Sequence, residues 1–204
     1  MKKSKSPLAD RQAAAGQRLA DAARLASNAT DLFDEEVASF MGINRTDARC
    51  VDLIDFHSRI TAGDLARAAS LTTGAVTTAV DRLVKAKLVR RERGADDRRK
   101  VYVELTEEGR AMLRALYLPF KTSWLSQGLT FSDEALATLT QYFTISRRMN
   151  LAYVAALREL APPTRATLTQ RITAASSLAA WSPRDDSEPD TREAPLPSRG
   201  ARVR

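Results

Sequence analysis

Thr72, Thr73, Thr77 and Thr78 crowd one short stretch of LTTGAVTTAVDRLVKAK, and Arg82 and Lys85 follow them. At helical spacing, Thr73, Thr77, Thr78, Asp81, Arg82 and Lys85 share the face opposite Val76, Val80, Leu83 and Val84. The polar face opens with small hydroxyl side chains and ends in cations. Small residues let a helix start approach base edges closely, hydroxyls can meet donors or acceptors there, and arginine suits guanine. The chemistry is recognition rather than bond-making. A helical hairpin with a merely solvated polar face would have the same pattern, so the reading depends on the neighbouring segments.

Those segments place the threonines. Thr61, with Asp64 three residues on, fits a capping box, and Leu65, Ala66 and Ala69 give a short helix over 61–69 one side to bury. After the SLTTG turn a second helix opens with Thr72 as N-cap and Thr73 and Gly74 in its first turn. Two short helices and a tight turn, the second with an outward polar face, form a helix-turn-helix. Leu88–Arg93 and Lys100–Leu105 then read as two strands, the second with Val101, Val103 and Leu105 inward and Tyr102 and Glu104 outward. GADDRR between them makes a cationic tip. A hairpin of this kind after a reading helix is a wing, with arginines suited to a narrow, strongly negative minor groove.

LTTGAVTTAVDRLVKAKLVRRERGADDRRKVYVELTEEG resembles the winged helix-turn-helix core of the multiple-antibiotic-resistance regulator (MarR) family. Its Asp-x-Arg wing tip is matched by Asp97-Arg98-Arg99, and its apolar strand ending in Leu-Thr by VYVELT up to Thr106. The likeness covers roughly residues 30–160 and is most specific over 61–109. It implies that Arg99 enters the minor groove with Asp97 orienting the tip, and that Thr72, Thr73, Thr77, Thr78 and Arg82 face the major groove. Thr61, Gly74 and Arg98 complete the candidate DNA-contacting set. It further implies a homodimeric regulator, commonly a repressor released by a small effector, here of apolar or aromatic character.

Charge agrees. Of the 204 residues, 81–100 hold nine Lys/Arg against four Asp/Glu, a net of +5 within a chain total of +7. Lys2, Lys3 and Lys5 add +3, so everything else sums to about −1. Such a patch releases counterions on meeting phosphate, and the wing has no large apolar face for a membrane. Double-stranded DNA is the expected partner, and no membrane is. A winged helix that binds protein would have no need of the patch; it and non-specific architectural DNA binding are the alternatives.

Enzymatic chemistry finds no support. There is no phosphate-cradling glycine loop, no metal-ligand cluster and no nucleophile with an evident base. His57 is the one histidine, so a zinc site is not expected, and no cofactor is implied. It suits a helix C-terminus, with an effector contact as the lesser reading. Cys50 rules out an internal disulfide and is expected in the core rather than as a redox sensor.

The expected fold is mainly α with a small β-hairpin wing, a winged helix-turn-helix core flanked by N- and C-terminal dimerisation helices. Residues 1–16 read as a basic mobile arm and 17–160 as the main domain. Within it the core spans 44–105 and the dimerisation helices 31–41 and 106–160. Asn44 and Asp47 should cap a helix to Phe56 that Ala48, Val51, Leu53, Ile54 and Phe56 make largely buried. A helix from Thr106 should be kinked or interrupted at Pro119. From Ser132, Leu136, Leu139, Phe143, Ser146, Asn150, Tyr153, Leu157 and Leu160 repeat at alternating spacings of three and four, a heptad seam. A two-fold partner across Leu136, Leu139, Phe143, Tyr153 and Leu157 is the economical cover; an intramolecular seam stays open. Residues 161–181 form a further amphipathic helix, and 182–204 a disordered tail. No apolar run is long enough to span a bilayer and MKKSKSPLADRQAAAG lacks the apolar stretch of a secretory signal, so a cytoplasmic location is expected.

Overall fold

The computed structural model describes residues 7–94, 100–128, 130–160 and 166–182. The chain divides into two compact units, Met1–Lys121 and Thr122–Arg204. The first begins with α1 (Pro7–Phe40) and α2 (Arg45–His57), then β1 (Ile60–Thr61), α3 (Ala62–Ala69) and α4 (Thr73–Lys85). The antiparallel strands β2 (Val89–Arg93) and β3 (Val101–Leu105) follow, and then α5 (Glu107–Gly128), whose residues up to Lys121 belong to this unit. The sheet order is β1-β3-β2, with Ile60 opposite Val103 and Val89 opposite Leu105.

Apolar faces of helices and strands converge on one core. Val51 and Ile54 of α2, Leu65 of α3, Val76, Val80 and Leu83 of α4, and Val103 and Leu105 of β3 are all buried there. The start of α5 is tied to the same body. Thr106 Oγ1 accepts from Gly109 N–H (2.9 Å) and donates to Lys87 O (2.6 Å), while Thr106 N–H donates to Leu88 O (3.0 Å). Gly109 is required there, because a Cβ would collide with the Leu88 carbonyl.

Several expectations are corrected. From Pro7 the arm is helical, and the helix expected over 31–41 is the end of one 34-residue helix. Pro119 does not interrupt α5. Tyr117 and Phe120 straddle it and both pack on Phe33 of α1, edge-on at 5.8 Å and stacked at 4.8 Å, which holds the helix together across the lost donor. β1 was not foreseen. Phe56, Val84 and Val101 are exposed rather than buried. Val84 lies at the margin of the α4 stripe, where Ala79 completes the buried set. Val101 sits opposite Arg93 at the wing end of the hairpin.

The second unit holds α6 (Asp133–Glu159), N-capped by Ser132, then α7 (Leu168–Ser176) and a 3-10 turn over Ser177–Ala180. The expected helix over 161–181 is thus shorter and ends in that turn, and residues 161–165 lie outside the described residues, as does the expected tail from 183 onward. Tyr153 packs edge-on against Trp181 at 4.9 Å. α6 contributes no buried residue.

Candidate nucleic-acid interface

The turn between α3 and α4 is built by caps. Thr61 Oγ1 accepts from Asp64 N–H (3.2 Å) and donates to Asp64 Oδ2 (2.6 Å), and the same carboxylate pairs with Arg67. The reciprocal capping bond expected of Asp64 is thus replaced by a hydroxyl and a guanidinium. Ser70 closes α3 in the left-handed region (φ 55°), with its N–H to Ala66 O and Arg67 O. Thr72 then opens α4, its Oγ1 accepting from Ala75 N–H (3.2 Å).

Thr72, Thr73, Gly74, Thr77 and Thr78 are all exposed and lie together at the start of α4. The hydroxyls of Thr77 and Thr78 donate back to Thr73 O (2.9 Å) and Gly74 O (3.0 Å). With their protons engaged, these side chains turn oxygen lone pairs and methyl groups outward. Thr61 is half-buried in its own cap. The hairpin of β2 and β3 lies beside α4, joined to it by Arg91 of β2, whose Nη2 donates to Asp81 Oδ1 (2.6 Å). Arg90 pairs with Glu104 across the hairpin (2.7 Å). Asp97, Arg98 and Arg99 lie outside the described residues.

Arg82 is placed differently from the other candidates. Its Nε donates to Asp47 Oδ2 (2.7 Å) and its Nη2 to Oδ1 (2.6 Å), a two-pronged pair with α2 that holds the guanidinium above its ordinary range. Asp47 is 1 % exposed and also accepts from Asn44 Nδ2 (2.9 Å). Its role was missed because the partner lies 35 residues away. One signal was available: Asp47 shares a helix face with Val51 and Ile54, a carboxylate in core register.

Cys50 is fully buried, and burial, with Asp47 nearby, pushes its thiol above the ordinary 9.0 against the pull of Arg49 and Arg82. That is core behaviour. His57 ends α2 and packs edge-on against Phe56. Among the described residues no cluster of His, Cys, Asp or Glu could hold a metal ion, and no helix is long and apolar enough to cross a membrane.

The MarR family model matches residues 43–101, from the start of α2 into β3. An uncharacterized HTH-type transcriptional regulator of Bacillus subtilis (strain 168), YcgE, is 31% identical over 113 residues, which is 55% of this chain and 73% of that protein. Among solved structures, a MepR mutant from a multidrug-resistant S. aureus clinical isolate aligns with a TM-score of 0.52 at 19% identity. The alignment covers 63% of this chain and 94% of that one, a likeness of fold. An E. coli MarR mutant complexed with operator DNA aligns with a TM-score of 0.45 at 25% identity, over 63% and 93% of the two chains. The helix-turn-helix and hairpin built on one core, the family match across them and the B. subtilis relative together establish that this chain belongs to the MarR family, as a transcriptional regulator and not an enzyme.

Proposed function

We propose that the protein acts as a homodimer that occupies a pseudo-palindromic operator and blocks transcription. One observation carries the reading: an exposed face of small hydroxyl side chains at the start of α4, beside a basic hairpin, on a rigid core. In this reading Thr72, Thr73, Gly74, Thr77 and Thr78 meet base edges in the major groove, and Arg98 and Arg99 reach the adjacent minor groove with Asp97 orienting them. Thr61 serves its helix cap and the backbone near it.

Dimerisation has independent support in α6. Leu136, Leu139, Phe143, Tyr153 and Leu157 are 37–62 % exposed in the single chain, an apolar stripe, broken by Ser146 and Asn150, that a second copy would cover. A single reading helix spans too few base pairs for useful specificity, whereas two related by a dyad read half-sites about one turn apart. Release would follow from an apolar or aromatic effector that binds one spacing of the two heads better than the other.

The test pairs assembly with binding. In sedimentation the chain should run at twice its own mass, and Phe143→Glu with Leu157→Glu should run as a folded monomer that no longer retains duplex DNA at about 150 mM salt. A folded monomeric variant that binds with wild-type affinity overturns the dimeric reading.

A further inference from the structure

We propose that Asp47 is a positioning residue for DNA reading, holding Arg82 on the protein side of the reading helix so that the guanidinium orients α4 instead of touching DNA. The inference rests on the DNA-binding function proposed above.

Two neighbouring residues of α4 with opposite charge are fastened in different directions. Arg82 reaches back to Asp47 of α2, and Asp81 receives Arg91 of β2. A guanidinium that meets both carboxylate oxygens through Nε and Nη2 fixes a plane as well as a distance. Because α4 is a rigid rod, fastening adjacent residues to two different elements fixes its rotation about its own axis. Rotation decides which threonines meet base edges. The Asp47 side chain is 2% exposed, against 46% for Arg82, so the carboxylate end is held within the core while the guanidinium lies at the surface. Asn44 Nδ2 donates to the same carboxylate, which steadies its orientation. Without the carboxylate, a half-exposed cation on the reading helix would be free to swing toward phosphate. It would add affinity for any duplex and none for a particular sequence.

The proposal separates from a merely structural ion pair by salt dependence. Each phosphate contact adds about 0.9 to the slope of log K against log salt. Asp47→Asn keeps the shape and removes the charge that holds Arg82. On random duplex its dimer should bind more tightly at low salt, with a slope steeper by about 1.8 for the two released arginines. Its preference for a selected operator over random duplex should fall about tenfold, the scale of a misread base pair. Arg82→Gln should leave the slope at the wild-type value, because the wild-type guanidinium touches no phosphate. An Arg82→Gln slope flatter by about 1.8 overturns the proposal, since it would put Arg82 on the DNA.

The unaltered protein provides a test that no variant's folding can compromise. The Arg82 Nε–H resonance should be slowly exchanging in the free protein and remain so when operator duplex is added. Loss of that protection on binding refutes the inference. Failure of the wild-type protein to bind any duplex would refute the proposed function instead, so the two failures are distinguishable.

Discussion

Replacing Gly109 by alanine should destabilise the protein, although an alanine in a helix is ordinarily favoured over glycine. Gly109 lies in the first turn of α5, and a Cβ there would fall within the contact radius of the Leu88 carbonyl oxygen and press on its carbon at 3.0 Å. Both atoms are backbone, so no side chain can turn aside. The carbonyl is itself fixed by Thr106 N–H (3.0 Å), and the neighbouring Lys87 O by Thr106 Oγ1 (2.6 Å). Relief requires α5 to lift off, lengthening those bonds. Steric strain of about 1–3 kcal/mol plus one weakened hydrogen bond of about 1 kcal/mol exceeds the helix-propensity gain of roughly 1 kcal/mol. A net loss of about 1–3 kcal/mol corresponds to a fall in Tm of roughly 2–12 °C for a chain of this size. Gly16→Ala is the control, because nothing lies within 4 Å of its added Cβ inside α1. It should be neutral or stabilising by up to about 1 kcal/mol. Thermal unfolding followed by far-ultraviolet circular dichroism reads both. A Gly109→Ala protein as stable as its parent would refute the close seating of α5 on the start of β2.

Other outcomes follow from named contacts. Leu83→Ala empties a fully buried position between α4 and its core and should cost about 2–5 kcal/mol in urea unfolding, whereas Val84→Ala, at an exposed position, should cost far less. Cys50 and Tyr117 both hold their protons more tightly in the folded chain than their ordinary values of 9.0 and 10.0, chiefly through burial. The unfolded chain releases those protons first, so stability should fall as pH rises above about 9, and Cys50→Ala should flatten the first part of that fall. Thr78→Val keeps the methyl group and removes the outward oxygen; it should change the preferred half-site without changing the salt slope. Arg99→Ala should weaken operator binding by about 10- to 100-fold, the value of a charge-assisted contact, and unchanged affinity at physiological salt would reject the wing assignment.

What was legible in the sequence was what neighbouring residues decide together. Asn44, Thr61 and Thr72 cap the helices expected of them, because a hydroxyl or amide that accepts from the N–H three residues on is a local arrangement. The α4 stripe and the two hairpin strands were legible for the same reason. Strand β1 was not, since two residues cannot show an alternation and its pairing with Val103 and Tyr102 lies some 40 residues on. The full length of α1 was hidden by Gly16 and by sparse large apolar residues, which give no periodic signal although every residue tolerates a helix. Continuity through Pro119 depends on Phe33, and the duty of Arg82 depends on Asp47; both partners are distant in the chain. Of the candidate site, the threonine face was therefore readable and the ion pair behind it was not.

Selection of bound sequences from a random duplex pool at about 150 mM salt separates sequence reading from bare charge attraction. An inverted repeat with half-sites about 10 base pairs apart is expected, flanked by positions where a narrow minor groove is preferred. A folded dimer that enriches no sequence would contradict it. Recovery of nothing would then favour a protein-binding winged helix, and binding without sequence preference an architectural role.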